Sequence, residues 1–197
     1  MTIPNLITEH QKRVTVTKLQ KAISVINQAY RLSYEENGDV TAEEAKVLGA
    51  EPYFKKYWEP YIKVLTLCKT PEMCGYKSQL PFYNITGTSN GSYFIHPGRV
   101  NFLTMDGFLY VVAVSGGVDN NSMSSVWVDI NGGTGPNKFG RDIFVLDRIP
   151  DGKGVQPYGY NFDNNNLSRY CSYISTNACA EKIKRAGWKI DKSYPWK

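Results

Sequence analysis

The chain has only two histidines, His10 and His96, and neither sits where catalysis would place it. A Ser-His-Asp or Cys-His mechanism needs an imidazole oriented by a third group. His10 falls in a polar stretch of helical sequence, and His96 precedes Pro97-Gly98 in a turn. The paired carboxylates Glu35-Glu36 and Glu43-Glu44 are neighbours on helical stretches, so at 3.6 residues per turn they diverge by about 100°. They frame no common cleft for glycosidase-type acid and base work. The glycines of Gly132-Gly133-Thr134-Gly135 lead into Pro136 and a polar loop instead of opening a helix, so they build no phosphate cradle. The sequence therefore reads as non-enzymatic, with no catalytic and no cofactor-binding residue assigned.

The same loop, Asp129 to Asp142, offers side-chain oxygens at its first and third positions, as calcium loops do. It lacks the later bidentate glutamate and a third early acid. Asp129, Asn131 and Asp142 are thus the calcium candidates, the alternative being a hydrogen-bonded turn, and the expectation is that calcium binds weakly or not at all. The four cysteines fall into two local pairs, Cys68 with Cys74 and Cys171 with Cys179. Zinc would require closer spacing or histidines beside them. Disulfides of an oxidised, extracytoplasmic protein fit better. Four cysteines permit three connectivities, and local pairing is preferred because each pair flanks a segment that would otherwise be a floppy loop.

The elements that must carry these residues follow from periodicity. Leu6 to Glu36 contains neither proline nor glycine, and Leu19, Ala22, Ile23, Ile26, Ala29 and Tyr30 recur at steps of three and four, one stripe of a helix that Asn37-Gly38 then ends. A helix of some 30 residues is about 45 Å long. Its polar part, Glu9 to Arg13, is expected to project from the domain while Leu19 to Tyr34 packs. Thr41 and Glu44 form a capping box for a short helix, and a second short helix begins at Glu51-Pro52 with an aromatic face of Tyr53, Phe54, Tyr57 and Trp58. Beyond Cys74 the period becomes two. Val100 to Val114 is a hairpin about Met105-Asp106-Gly107, Ser125–Ile130 and Ile143–Asp147 are further strands, and Asn177 to Gly187 is a short helix.

The fold expected is α+β: a long N-terminal helix on an antiparallel sheet of about four strands, with short helices in the connecting region. We read one domain over residues 1–197, divided into the spine helix (1–37), a helical and loop connection (38–99), the sheet (100–149) and a disulfide-containing C-terminal region (150–197). The formal charge of +5 is dispersed, so no specific nucleic-acid partner is expected. The longest apolar run, Phe108 to Val114, is far below the roughly 20 residues of a membrane-spanning helix. The chain as written is expected to be soluble.

Several of these segments resemble the type IV pilin-like family, which includes the type II secretion pseudopilins. Met1-Thr-Ile-Pro-Asn-Leu-Ile resembles the point where the apolar membrane half of that family's first helix ends. His10-Gln-Lys-Arg-Val-Thr-Val-Thr-Lys-Leu-Gln-Lys-Ala, leading to Gln28-Ala-Tyr-Arg, is similar to its soluble half. Val128-Asp-Ile-Asn-Gly, Gly135-Pro-Asn, Gly140-Arg-Asp142, Cys179-Ala-Glu-Lys-Ile, Gly187-Trp-Lys-Ile and Tyr194-Pro-Trp196 resemble its sheet, loop and tail. The resemblance implies a pilin-like fold whose subunits assemble helix to helix into a filament. Its partners are then other pilin-like subunits and the pilus or secretion assembly machinery. The family's leader peptide, processing site and apolar half-helix would precede Met1, so membrane attachment is expected only through that segment. The resemblance places the full-length protein in the bacterial inner membrane with this domain extracytoplasmic, or in a surface filament. Two other functions remain open: a filament-tip module binding DNA, glycan or a secreted substrate, and a secreted hydrolase.

Overall fold

The breaker-free segment forms α1, Ile3–Asn37, 35 residues long, in the computed structural model, which describes residues 3–89, 94, 96–114 and 125–196. Met1 and Thr2 of the opening motif lie outside the described residues. Pro4 falls in the first turn, where a missing N–H costs nothing. Gly38, at φ +70°, ends the helix, its amide donating to Tyr34 O at 2.8 Å. Val16, Leu19, Ala22, Ile26, Ala29 and Tyr30 are buried, and Ile23 sits at the margin of that stripe. Residues 3–7 are exposed.

Two short helices follow, α2 (Ala42–Leu48) and α3 (Ala50–Tyr57), then a 3-10 turn, Glu59–Tyr61. Thr41 Oγ1 accepts the Glu44 amide at 3.1 Å, the first half of the expected capping box. Glu44 does not complete it. Its carboxylate accepts instead from Tyr57 Oη (2.6 Å) and Lys56 Nζ (3.1 Å), tying α2 to α3.

The sheet has six strands, not about four: β1 (Val64–Leu67), β2 (Arg99–Thr104), β3 (Leu109–Ala113), β4 (Ser125–Asp129), β5 (Ile143–Ile149) and β6 (Gly154–Pro157). All neighbours are antiparallel and the spatial order is the sequence order. The four expected strands are the central ones. The two added are edges of four residues each, β1 with a register shift and β6 bounded by glycine and proline, so tertiary pairing rather than local pattern makes them strands. They carry the sheet into the 38–99 connection and the 150–197 region. A further short helix, α4 (Asn164–Tyr170), starts at the Asp163 cap, and α5 (Cys179–Arg185) is the expected C-terminal one.

Both faces of the sheet are covered. Phe102, Tyr110, Val112, Val126, Val128, Phe144 and Leu146 face α1 and α3. Leu109, Val111, Ala113, Trp127, Ile143 and Val145 face a layer of Tyr76, Phe82, Phe94 and Phe139 drawn from loops. Tyr110 Oη donates to Ala22 O (2.9 Å) and Tyr30 Oη to Ile149 O (3.0 Å), satisfying phenols inside the helix-covered core. Asn27 completes the β6 edge: its Nδ2 donates to Val155 O (2.8 Å) and its Oδ1 accepts Val155 N (2.7 Å), as a neighbouring strand would. Among the described residues no helix is long and apolar enough to cross a membrane.

Candidate functional site

Both cysteine pairs are disulfides with the expected local connectivity, their Cα atoms 5.7 Å (Cys68–Cys74) and 4.7 Å (Cys171–Cys179) apart. Their neighbourhoods converge on one place, the loop between β4 and β5. A Cβ built on Gly133 would lie 2.3 Å from Gly75 O, beside the first bridge, and one on Gly140 would lie 3.4 Å from Cys179 Sγ, in the second. The Gly133 approach admits no side chain, and Gly140 is held to glycine by its φ of +79° with Thr176 Cβ 3.0 Å from where its Cβ would lie. The C-terminal tail closes the third side, with Tyr194 Oη donating to Gly140 O.

Inside this loop the structure brings Asp129, Asn131 and Asp142 together. Asp129, at the end of β4, is buried; Tyr76 Oη donates to its Oδ2 (2.9 Å) and the Asn131 amide to its Oδ1 (3.1 Å). Asp142 is also buried, its Oδ2 accepting the Asn137 amide (2.8 Å) and its Oδ1 the Lys138 amide (2.6 Å). Asn137, at φ +53°, occupies the left-handed region that asparagine tolerates better than other side-chain-bearing residues. With its amide nitrogen turned inward it donates to Gly132 O (3.1 Å), Thr134 O (3.2 Å) and Asp129 Oδ2 (3.3 Å).

The electrostatics follow from burial. Asp129 is raised well above the ordinary carboxylate range by desolvation, with the Asp142 charge adding to it. Asp142 is raised by desolvation, against which the Lys138 and Asn137 amides act. Burial and the Asp129 charge push the Tyr76 phenol far up, so it stays a donor. The carboxylate oxygens are thus engaged by the protein's own donors. Among the described residues no group of three or more His, Cys, Asp or Glu is arranged to hold a metal ion.

Among the described residues neither histidine makes a hydrogen bond or ion pair with this cluster's carboxylates, although His10 shares a cleft lining with Asn131 and Asp142. His96 turns its Nδ1 to the Gly98 amide (3.0 Å), stapling the turn before β2. His10 lies on α1 and, with Gln11, Val14, Lys18, Arg141 and Trp196, lines a cleft of about 270 Å³ between the helix and the loop. Arg141 is held there from two sides: its Nη2 donates to Gln11 Oε1 (3.2 Å), and its guanidinium lies 4.4 Å from the Trp196 ring centroid. The expected projection of α1 from Glu9 to Arg13 is thus shortened, since Gln11 already touches the loop. Tyr76 and Asn137 escaped the sequence reading. Tyr76 is 53 residues from Asp129, and no local spacing joins them.

The chain is therefore an α+β protein with a long N-terminal helix on a six-stranded antiparallel meander, with two disulfides beside the β4–β5 loop. Residues 5–102, just under half of it, match a family described as a family of unknown function (DUF6613). The match runs from α1 into β2 and stops short of the β4–β5 loop. No curated protein and no solved structure matches the chain.

Proposed function

We propose that this chain is the extracytoplasmic part of a pilin-like structural subunit, of a type IV pilus or a type II secretion pseudopilus, and not an enzyme. The observation that carries this reading is α1. Its middle and C-terminal turns are buried against the sheet, while its first turns stand clear and leave Ile3 (74%), Leu6 (51%) and Ile7 (53%) exposed. Exposed apolar residues at three- and four-residue spacing suit a helix that packs on other helices. The partners are then other pilin-like subunits and the assembly machinery. A single cysteine at Leu6 or at Ile7 in the native gene should yield cross-linked dimers in cells, since one thiol forms one disulfide. Protein that stays monomeric after oxidation, with no surface filament or envelope fraction carrying it, would overturn the reading.

A second reading, a binding module at the tip of such a filament, is favoured by the C-terminal disulfide loop. Tyr173 and Ile174 are exposed there, with Tyr160 nearby in sequence. Exposed aromatic rings suit a glycan face. Glycan-array binding lost on Tyr160→Ala and Tyr173→Ala would favour it over the structural subunit.

A further inference from the structure

Charge is segregated along α1 and the turn that follows it. Residues 10–21 carry four Lys and Arg and no acid, whereas residues 35–44 carry five Asp and Glu and no Lys or Arg. From Lys18 to Glu35 the helix advances about 26 Å. At the acidic corner the fold already uses three of the five acids. Asp39 pairs with Arg148, Glu44 with Lys56 and Tyr57, and Glu36 lies against the Tyr61 hydroxyl. Glu35 and Glu43 are exposed and make no ion pair among the described residues. At the other end, Lys18 and Arg141 line the cleft beside His10, with no ion pair of their own among the described residues. The one carboxylate in the lining, Asp142, is occupied by two backbone amides.

We infer that this cleft receives the acidic corner, Glu35 and Glu43, of a second copy of the chain. The inference rests on the subunit reading and names the surfaces that meet in it. Arg141 is set by Gln11 and Trp196, so its fork is oriented before a carboxylate arrives. Two different patches on one molecule make a heterologous contact, which closes into a ring or, where the rotation does not close, adds copies as a filament. A general affinity for anions, such as nucleic acid or lipid headgroups, accounts for the basic cleft but not for the acidic corner.

The test is a concentration series of the isotopically labelled chain followed by NMR, with two charge-reversed variants. Amides around Arg141 and Trp196 should shift together with those around Glu35 and Glu43 as concentration rises, and about 0.5 M salt should suppress both sets. K18E/R141E alone and E35K/E43K alone should each associate at least about tenfold more weakly than wild type, a loss of about 1.4 kcal/mol. A one-to-one mixture of the two should associate again, because the corner of each matches the cleft of the other, and that recovery also shows both variants folded. Either variant associating as well as wild type, a mixture that stays monomeric, or shifts in the cleft that arise only on adding anionic vesicles would overturn the contact. Association that survives both reversals but is lost on Leu6→Ser and Ile7→Ser keeps the subunit reading and discards this cleft. The absence of any concentration-dependent shift likewise discards the cleft contact, while the subunit reading is judged separately by the cysteine cross-linking in cells.

Discussion

The two faces of the sheet are covered by unlike means. One is closed by α1 and α3, whose apolar residues recur at helical spacing and whose own backbone hydrogen bonds are satisfied before they touch the sheet. The other is closed by loop residues, Tyr76, Phe82, Phe94 and Phe139, in mutual edge-on contact at centroid separations of 5.4 to 6.1 Å. Aromatic packing of that kind gives area and geometry but fixes no backbone. A cover without regular structure must be held by something else, and here it is held by the Cys68–Cys74 bridge and by Tyr76 bonded to Asp129.

Core substitutions on the two faces should separate these modes most widely. Ile26 on the helix-covered face is fully buried, and Ile26→Ala is expected to cost about 2–5 kcal/mol with global, cooperative loss of structure. Phe82→Ala should cost a similar amount in area, yet release mainly the loop layer. Hydrogen exchange read residue by residue distinguishes them: a cost below about 0.5 kcal/mol for Ile26→Ala would mean that the wrong helix face is assigned.

Removing the first bridge tests the staple directly. Cys68→Ser with Cys74→Ser should cost about 2–3 kcal/mol. The loss should appear as faster exchange over residues 68–89, while α1 keeps its protection. Before that, thiol titration of the unfolded, unreduced wild type should find no free cysteine. Asn27→Ala probes the helix-covered side at its edge. Two hydrogen bonds to Val155 disappear, an expected cost of about 1–3 kcal/mol, with fraying confined to β6.

Legibility in the sequence follows the same division. The stripe of α1 and the alternation of β2 to β5 are written locally, because each places its side chains at the element's own period. β1 and β6 are strands only because a neighbour pairs with them. β6 even carries Gly154, whose φ of +93° and tight approach to Asn27 Oδ1 exclude a side chain. The candidate loop was half legible. Asp129, Asn131 and Asp142 announce an oxygen-rich turn, but their donors are backbone amides and the distant Tyr76, which only the folded chain brings near. α4 opens on Asn164-Asn-Asn, and its start is supplied by Asp163 Oδ1 accepting the Asn166 amide at 2.7 Å.

The smallest effect expected is one of pH, and it compares the charged residue that β5 places on each face. Arg148, on the helix-covered face, is paired with Asp39 and keeps its charge at any working pH. Asp147, next to it on the opposite face, accepts from the Ser125 hydroxyl at 3.2 Å, and burial raises its carboxyl from 3.8 to about 6. Between those values the folded chain holds a proton that the unfolded chain has lost, so folding takes up a proton there. The stabilisation from the raised carboxyl is therefore complete below about pH 4 and lost as pH rises through about 6. Asp147→Asn removes the titration. It should gain on the order of 1–2 kcal/mol over wild type near neutral pH, after allowance for the partly exposed carboxyl, and almost nothing near pH 4. Denaturant titrations of both proteins across that range decide it. Asp129 and Asp142 bias the wild type in the same direction but are present in both chains, so the difference isolates Asp147. A gain equal at both pH values would trace the effect to packing, and a loss at neutral pH would show that the ionised carboxylate has a partner on the loop-covered face.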